Sequence, residues 1–311
     1  MNKSMVSVVI PSFNRSEIIC ETIESILHHG RVDQIIVVDD FSKEPYSNLG
    51  CLKNKKITLI RNSSNLGEST SVNIGLTKVK NDYAMVLSDD DPQFHNFFDD
   101  LLLFVDANPN YGVYVPSYSS GASHKDLNRT VLAEQYDSAD IIGLLICPAG
   151  PGALLNMKRI VDRQIRDDDK NTPSDLIQWM NLALVVDFKA VPNVLAFWRI
   201  SEYQDSNKLF TNIGLNKYAV SILAWLSENP IKHPERTYLS LCLRLAQIHK
   251  KIPDDKKSLL RIFLIVLKVA KNDSKTSTLK VVPAAIWVIV RICGIKLMRG
   301  TKILKKRMER K

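Results

Sequence analysis

The sequence predicts an α/β protein whose core is a mainly parallel sheet flanked by helices, and two observations support this. Four β-rich apolar runs, over residues 6–10, 34–38, 57–61 and 83–87, alternate with helical patterns. Such alternation is typical of parallel sheets with right-handed crossovers. Three of the runs also end in polar side chains, and open parallel sheets bind ligands at the carboxyl ends of their strands.

Residue spacing also predicts the helices of the first 110 residues. Apolar residues recur at helical intervals over 16–29, between a candidate cap at Ser16 and a stop at Gly30. Further amphipathic helices are predicted over 69–80 and 96–107.

After residue 110 the pattern predicts a strand over 111–118 and loops through most of 119–150. A helix is expected to start near Thr172-Pro173 and to end at 183. Two short extended segments are expected within 189–199. Beyond residue 207 the pattern is helical, with helices predicted over 215–227, 235–250 and 257–271.

The positive charge of the chain is concentrated near residue 311. The net charge is +9, and +7 of it lies between Lys296 and Lys311. This tail lacks interleaved aromatic residues, which argues against nucleic acid as a partner. It follows two apolar segments, 259–268 and 281–290, each shorter than the roughly 20 residues that span a bilayer. The combination favours helices lying on an anionic membrane surface, with ordinary helical packing as the alternative.

The cysteines and the N-terminus predict a cytoplasmic protein. Five scattered cysteines without a CxxC pair are expected to be reduced thiols: Cys20, Cys51, Cys147, Cys242 and Cys293. The first apolar run is a strand rather than a signal peptide.

The most informative feature is Asp89-Asp90-Asp91, which directly follows the apolar run at 83–87. Three adjacent carboxylates repel one another. A buried strand that ends in such a cluster therefore predicts a divalent cation, Mn²⁺ or Mg²⁺, as their partner.

Four motifs together resemble family 2 glycosyltransferases, which have the GT-A fold. They are the strand and loop over 6–15, Val37-Val38-Asp39-Asp40-Phe41-Ser42, the pair Asn65-Leu66-Gly67 and Asn73-Ile74-Gly75, and Ser88-Asp89-Asp90-Asp91. The resemblance is strong over 5–92 and weaker to about 200. It implies a catalytic domain over 1–205, with a nucleotide-binding half at 1–92 and an acceptor half at 93–205. An all-helical, membrane-interfacial region over 206–311 would follow.

The resemblance also implies roles for the acidic residues. Asp90 would be the principal metal ligand, with Asp91 supporting it and Asp89 closer to the ribose or sugar of the donor. Of Asp39 and Asp40, one would accept a hydrogen bond from the N3–H group of uracil, and the position favours Asp40.

Further nucleotide-binding residues are expected near the first strand and in the loop before the second helix. Backbone near Pro11 would pass the base, with Asn14 beside it. Asn65, Gly67 and Asn73 would lie near the donor phosphates, since a helix N-terminus offers free N–H groups.

Asp175 falls where the family has its catalytic base, at the start of the helix that ends at 183. A helix start favours an acidic residue through the helix dipole alone, so this explanation stays open. The cluster Asp167-Asp168-Asp169 is the rival candidate for the base.

The resemblance implies an inverting, metal-dependent transferase that moves a sugar from a nucleotide-sugar donor, with UDP favoured, to a lipid-linked saccharide at the membrane. Two alternatives remain at this point: a sugar nucleotidyltransferase and a non-catalytic nucleotide-binding scaffold. Donor sugar, acceptor, linkage and oligomeric state do not follow from the sequence.

Overall fold

The computed structural model describes residues 3–162, 165–166, 174–200, 212–229, 231 and 234–249. The predicted helix at 257–271, the apolar segments, the basic tail and the Asp167-Asp168-Asp169 cluster lie outside these residues. So does Thr172-Pro173, where the helix that ends at 183 was expected to start.

Eight strands form one sheet. They are β1 (Val6–Ser12), β2 (Val32–Asp39), β3 (Ile57–Arg61), β4 (Tyr83–Val86), β5 (Val113–Ser123), β6 (Asp126–Val131), β7 (Leu154–Asn156) and β8 (Phe188–Arg199). The order is β3-β2-β1-β4-β7-β5-β6, and β8 also pairs with β5. Pairs among β1 to β4 and the β5–β8 pair are parallel, whereas β7 and β6 pair antiparallel with their neighbours.

Seven helices are described. They are α1 (Ile19–Leu27), α2 (Glu68–Leu76), α3 (Phe97–Ala107), α4 (Ser138–Leu144), α5 (Ser174–Ala183), α6 (Asn212–Glu228) and α7 (Pro234–His249). The mainly parallel sheet with flanking helices confirms the predicted α/β fold class. The expected alternation of strands and helices is interrupted between β2 and β3. Two short 3₁₀ turns, Tyr46–Asn48 and Gly50–Leu52, connect these strands in place of an α-helix.

Helices cover both faces of the parallel strands. Val6, Val8 and Ile10 of β1 belong to one core cluster with the apolar residues of α1 and α3. Val9 lies against Gly75 of α2, and successive side chains of a strand point to opposite faces. The sheet is therefore buried on both sides, which explains why its strands are continuous apolar runs.

The second half differs in two places from the sequence prediction. Residues 119–131 are not loop, because β5 continues to Ser123 and forms an antiparallel pair with β6. Residues 189–199 form one strand rather than two segments. The register of that strand against β5 shifts between Val191 and Leu195, where the Ser117 hydroxyl donates to the Pro192 carbonyl at 2.8 Å.

Cys20 of α1 and Cys51 form a disulfide with their Cα atoms 5.6 Å apart, so the expectation of five reduced thiols is wrong for this pair. The packing of α1 beside the second 3₁₀ turn brings the two residues within bonding range, although 31 residues separate them in sequence. Cys242 is a buried free thiol. The cysteine argument for a reducing compartment therefore no longer holds.

The chain divides into two compact units. One contains 1–141, 146–170 and 174–202, and the other contains 142–145, 171–173 and 203–311. In the second unit, Ser240 of α7 donates a hydrogen bond to the Gly143 carbonyl at 2.9 Å. The division expected at 205 stays a prediction, since residues 201–211 lie outside the described ones.

Gly75→Ala should destabilise the protein. A Cβ atom there would lie 2.3 Å from Cγ1 of Val9 and 3.3 Å from Cγ2 of Val38. Overpacking of a core typically costs about 1–3 kcal/mol, which outweighs the ~1 kcal/mol of helix propensity that alanine gains. Chemical denaturation should therefore show a lower free energy of unfolding.

Gly30→Ala is the matched control, because a Cβ atom there meets nothing within 4 Å. Its denaturation midpoint should stay close to that of the parent protein. A Gly75→Ala variant as stable as the parent would contradict the close packing of α2 on β1.

Candidate active site

A cavity of about 460 Å³ lies at the carboxyl ends of β1 and β4. Pro11, Ser88 and Asp91 line it from the sheet. Its other polar walls are Glu68, Arg166, Asp175 and Gln178, and its aromatic walls include Tyr118, Trp179 and Trp198. The cavity therefore joins the acidic turn after β4 to the start of α5, which the sequence analysis treated as separate motifs.

Asp89 is buried and firmly anchored. Its carboxylate accepts a hydrogen bond from the Ser12 hydroxyl at 2.5 Å, and its carbonyl accepts one from Thr22 of α1 at 2.9 Å. Burial raises the pKa of Asp89 to about 6, and the charge of Asp90 adds to this, while Ser12 and Arg15 oppose it. The anchoring fixes the acidic turn against both β1 and α1.

Asp89 and Asp90 share one cationic partner. The Arg15 guanidinium lies 3.2 Å from a carboxylate oxygen of Asp89 and 2.7 Å from one of Asp90. The carboxylates are 8% and 11% exposed, so the guanidinium offsets the repulsion between two nearly buried charges. From the sequence alone, Arg15 could have been an ordinary surface charge. The structure instead places its guanidinium at the acidic turn.

Asp91 is the most deeply buried of the three, at 2% exposure. Burial raises its pKa to about 8, although the backbone N–H of Arg199 donates to the carboxylate at 2.7 Å and favours the ionised form. Of the triplet, Asp91 is the member that lines the cavity.

Hard oxygen donors of this kind fit Mg²⁺ or Mn²⁺. Within the described part of the chain, no three His, Cys, Asp or Glu side chains converge to hold a metal ion. One or two carboxylates suffice for Mg²⁺ when substrate phosphates complete its shell. The residues present therefore fit a cation that binds together with a phosphorylated ligand, and the ligand roles of Asp90 and Asp91 stay predictions.

The carboxylates of Asp39 and Asp40 both have partners within the chain. Asp39 is buried, bonds to the Arg61 guanidinium and accepts from the Ser42 N–H group at 2.8 Å. Asp40 accepts from the Asn62 amide and from the N–H groups of residues 66 and 67, each at 2.8 Å. A base that bonds to Asp40 would use a remaining lone pair, so that role stays a prediction.

The loop that was expected to bind phosphate precedes α2, and its predicted residues differ in exposure. Gly67 has a φ of 92° at the N-terminal end of α2, a conformation that favours glycine. Asn65 is exposed. Asn73 is buried, and its amide both donates to the Arg166 carbonyl at 2.8 Å and accepts from the Arg166 N–H group at 3.1 Å.

The structure also locates the two residues expected beside the base. Pro11 lines the main cavity. Asn14 is exposed, has a φ of 55° and lines a separate cavity of about 230 Å³ with Ser42 and Tyr46. The binding roles of Pro11, Asn14, Asn65, Gly67 and Asn73 stay predictions.

Asp175 lies in the first turn of α5, and its side chain is 68% exposed to the cavity. Arg166, which is itself 8% exposed, lies 3.4 Å from it and also bonds to Glu68 at 2.5 Å and to Gln178 at 2.7 Å. The Asp175 carboxylate is therefore largely exposed, and the Arg166 guanidinium contacts it from one side.

Sequence reasoning missed Arg166, Glu68 and Tyr46. The Tyr46 hydroxyl, in the first 3₁₀ turn, bonds to the Ser12 hydroxyl and accepts from the Arg15 N–H group, both at 2.8 Å. None of the three residues belongs to a recognisable motif, and each acts through contacts with residues distant in sequence. Only the tertiary structure shows them.

Tyr46→Phe should lower the free energy of unfolding by about 1–3 kcal/mol, because it leaves the buried Ser12 hydroxyl and the Arg15 N–H group without this partner. Tyr118→Phe is the control, since the Tyr118 hydroxyl makes no hydrogen bond within the described residues. Denaturation of both variants checks this. Equal stabilities would contradict a role for the Tyr46 hydroxyl.

None of the described helices is long and apolar enough to cross a membrane.

Comparisons with known proteins agree with this architecture. Residues 7–150 match the family model described as Glycosyl transferase family 2. A Haemophilus influenzae protein named as an uncharacterized glycosyltransferase is 31% identical over 121 residues, which are 36% of this chain and 39% of the relative. A Rickettsia bellii protein of the same description is 33% identical over 111 residues, covering 35% of this chain and 16% of the relative. The chain thus spans well under half the length of these relatives.

Solved structures show the same fold. The crystal structure of S. aureus TarS 1-349 superposes with a TM-score of 0.56 at 14% identity, covering 93% of this chain and 90% of that one. Its complex with UDP-GlcNAc gives a TM-score of 0.55 at 16% identity, over 93% and 80% of the two chains. The fold is of the GT-A type, and residues 7–150 of this chain are similar to glycosyl transferase family 2.

Proposed function

We propose that the chain is an inverting glycosyltransferase. It transfers a sugar from a UDP-sugar to a hydroxyl group of a membrane-associated saccharide, linked to polyprenyl diphosphate, in the synthesis of a surface polysaccharide. The observation that supports this most is the single cavity that is lined both by the acidic turn after β4 and by Asp175. S. aureus TarS, which has a similar fold, has been crystallised with UDP-GlcNAc.

The donor would bind with its diphosphate near the acidic turn. Asp90 and Asp91 would hold a divalent cation, and such a cation acts as a Lewis acid that offsets the charge of the departing diphosphate. Asp89 and the β1 backbone at Pro11 would position the nucleoside. The walls of the cavity would keep water away from the sugar, which limits hydrolysis of the donor.

Asp175 would accept the proton of the acceptor hydroxyl as that oxygen attacks the anomeric carbon from the face opposite the diphosphate. The nearby guanidinium of Arg166 favours the ionised carboxylate that a general base needs. Arg166 restricts the carboxylate from one side. Trp179, Trp198 and Tyr118 supply aromatic surface for the apolar faces of sugar rings.

Asp175→Asn should lower the transfer rate by about 10²-fold or more, because the amide keeps the shape of the side chain and cannot accept the proton. Donor affinity should persist. Single-turnover transfer and calorimetric binding of UDP-sugars, measured on the same preparation, separate the two effects.

Asp99→Asn is the matched control, since Asp99 also lies in the first turn of a helix, α3, and does not line the cavity. If Asp175 only stabilised a helix start, both variants would behave alike. Near-normal transfer by Asp175→Asn would move the role to another carboxylate, with residues 167–169 as the next candidates.

We further propose that the chain is cytoplasmic and peripheral at the inner face of the cytoplasmic membrane. The supporting feature is the +7 charge between Lys296 and Lys311, since each Lys or Arg near an anionic surface contributes about 1 kcal/mol. The full chain should sediment with phosphatidylglycerol vesicles at low salt and be released at high salt. Replacing the tail lysines by glutamine should abolish the sedimentation, and a full chain that ignores these vesicles would refute the proposal.

A further inference from the structure

The acidic turn is anchored at Asp89, and one guanidinium bridges the carboxylates of Asp89 and Asp90. Asp89 is fixed by Ser12 and Thr22. The Arg15 guanidinium that bridges the two carboxylates stands at the end of a long side chain that is 29% exposed. An exchange of cation at this position would therefore move Arg15 and leave the anchored Asp89 in place.

The backbone around Arg15 confines that movement to the side chain. The Arg15 N–H group donates to the Tyr46 hydroxyl at 2.8 Å. Asn14, before it, bonds to both Ser42 and the Lys43 N–H group at 2.8 Å. These contacts fix the loop backbone independently of the guanidinium, so a displacement of the guanidinium would be a movement of the side chain.

Charge favours such an exchange. The acidic turn carries three carboxylates, and the guanidinium offsets one negative charge, whereas a dication held by Asp90 and Asp91 would offset two. Within the described residues Asp90 contacts no cation other than Arg15. Without the guanidinium, the nearly buried carboxylate of Asp90 has no compensating positive charge, so binding of another cation there becomes more favourable.

We propose that Arg15 is a built-in competitor of the divalent cation: it occupies the position between Asp89 and Asp90, and metal binding displaces its guanidinium from Asp90. This inference rests on the metal site of the proposed function. The displaced guanidinium remains beside the acidic turn and is suited to a diphosphate, which it can bind with two parallel hydrogen bonds. Metal and nucleoside diphosphate would then bind more tightly together than separately.

The test is Mn²⁺ binding to the full chain without nucleotide, followed by electron paramagnetic resonance and calorimetry. Arg15→Met should bind Mn²⁺ about tenfold or more tightly than the parent, because the competing charge is gone. Arg15→Lys, which keeps the charge but cannot bridge two carboxylates in the same way, should lie between them. Asp90→Ala should lose the site, both alone and combined with Arg15→Met.

Thermal melting provides a second measurement that does not depend on catalysis. Arg15→Met should melt lower than the parent without metal, since the carboxylates then repel each other. It should gain more from added Mn²⁺ than the parent does. Mn²⁺ affinity unchanged or weaker in Arg15→Met, no Mn²⁺ binding by either protein, or binding that persists in Asp90→Ala would each overturn the inference.

These measurements separate the inference from the proposed function. Tighter Mn²⁺ binding by Arg15→Met together with metal-independent transfer would support the exchange and refute metal-dependent catalysis. Metal-dependent transfer together with an unchanged Mn²⁺ affinity in Arg15→Met would support metal-dependent catalysis and refute the exchange.

Discussion

The burial of five aspartates at one edge of the sheet is the constraint on which the rest of the structure depends. Each needs its own compensation, since an uncompensated buried carboxylate is costly. The partners are Arg61 for Asp39, the N–H groups of residues 66 and 67 for Asp40, Ser12 and Arg15 for Asp89, Arg15 for Asp90, and the Arg199 N–H group for Asp91. These partners come from β1 and the loop after it, β3, the loop before α2, and β8. The acidic edge therefore connects elements that are far apart in sequence.

Much of the first half of the fold is predictable because its signals are local. The strand at 57–61 is predicted with its observed bounds, and the helix predicted at 96–107 starts one residue later in the structure. Continuous apolar runs identify strands buried on both faces whatever their neighbours are. The predicted cap at Ser16 is wrong, since α1 starts at Ile19 and Ile18, the residue before it, makes no side-chain cap. A cap depends on backbone geometry that the residue type does not determine.

The second half and the site contacts are less predictable for the opposite reason. The hairpin of β5 and β6 consists largely of polar residues, and its strands are determined by pairing rather than by periodicity. The disulfide between Cys20 and Cys51 likewise follows from packing. The sequence does show which carboxylates gather at the edge. It does not show that Arg15 bridges two of them, because an arginine after a strand serves equally well as a surface charge.

The proposed base illustrates how such non-local contacts place a reactive group. Asp175 lies in the first turn of α5, and contacts among the described residues connect that turn to α2. Arg166 supplies the connection: the Asn73 amide binds its backbone on both sides, while its guanidinium reaches Glu68, Gln178 and Asp175. Since Asn73 and Glu68 both belong to α2, this arginine fixes the start of α5 against the helix that follows Gly67. The separation between the acidic turn and Asp175 is thus set through α2 as well as by the sheet.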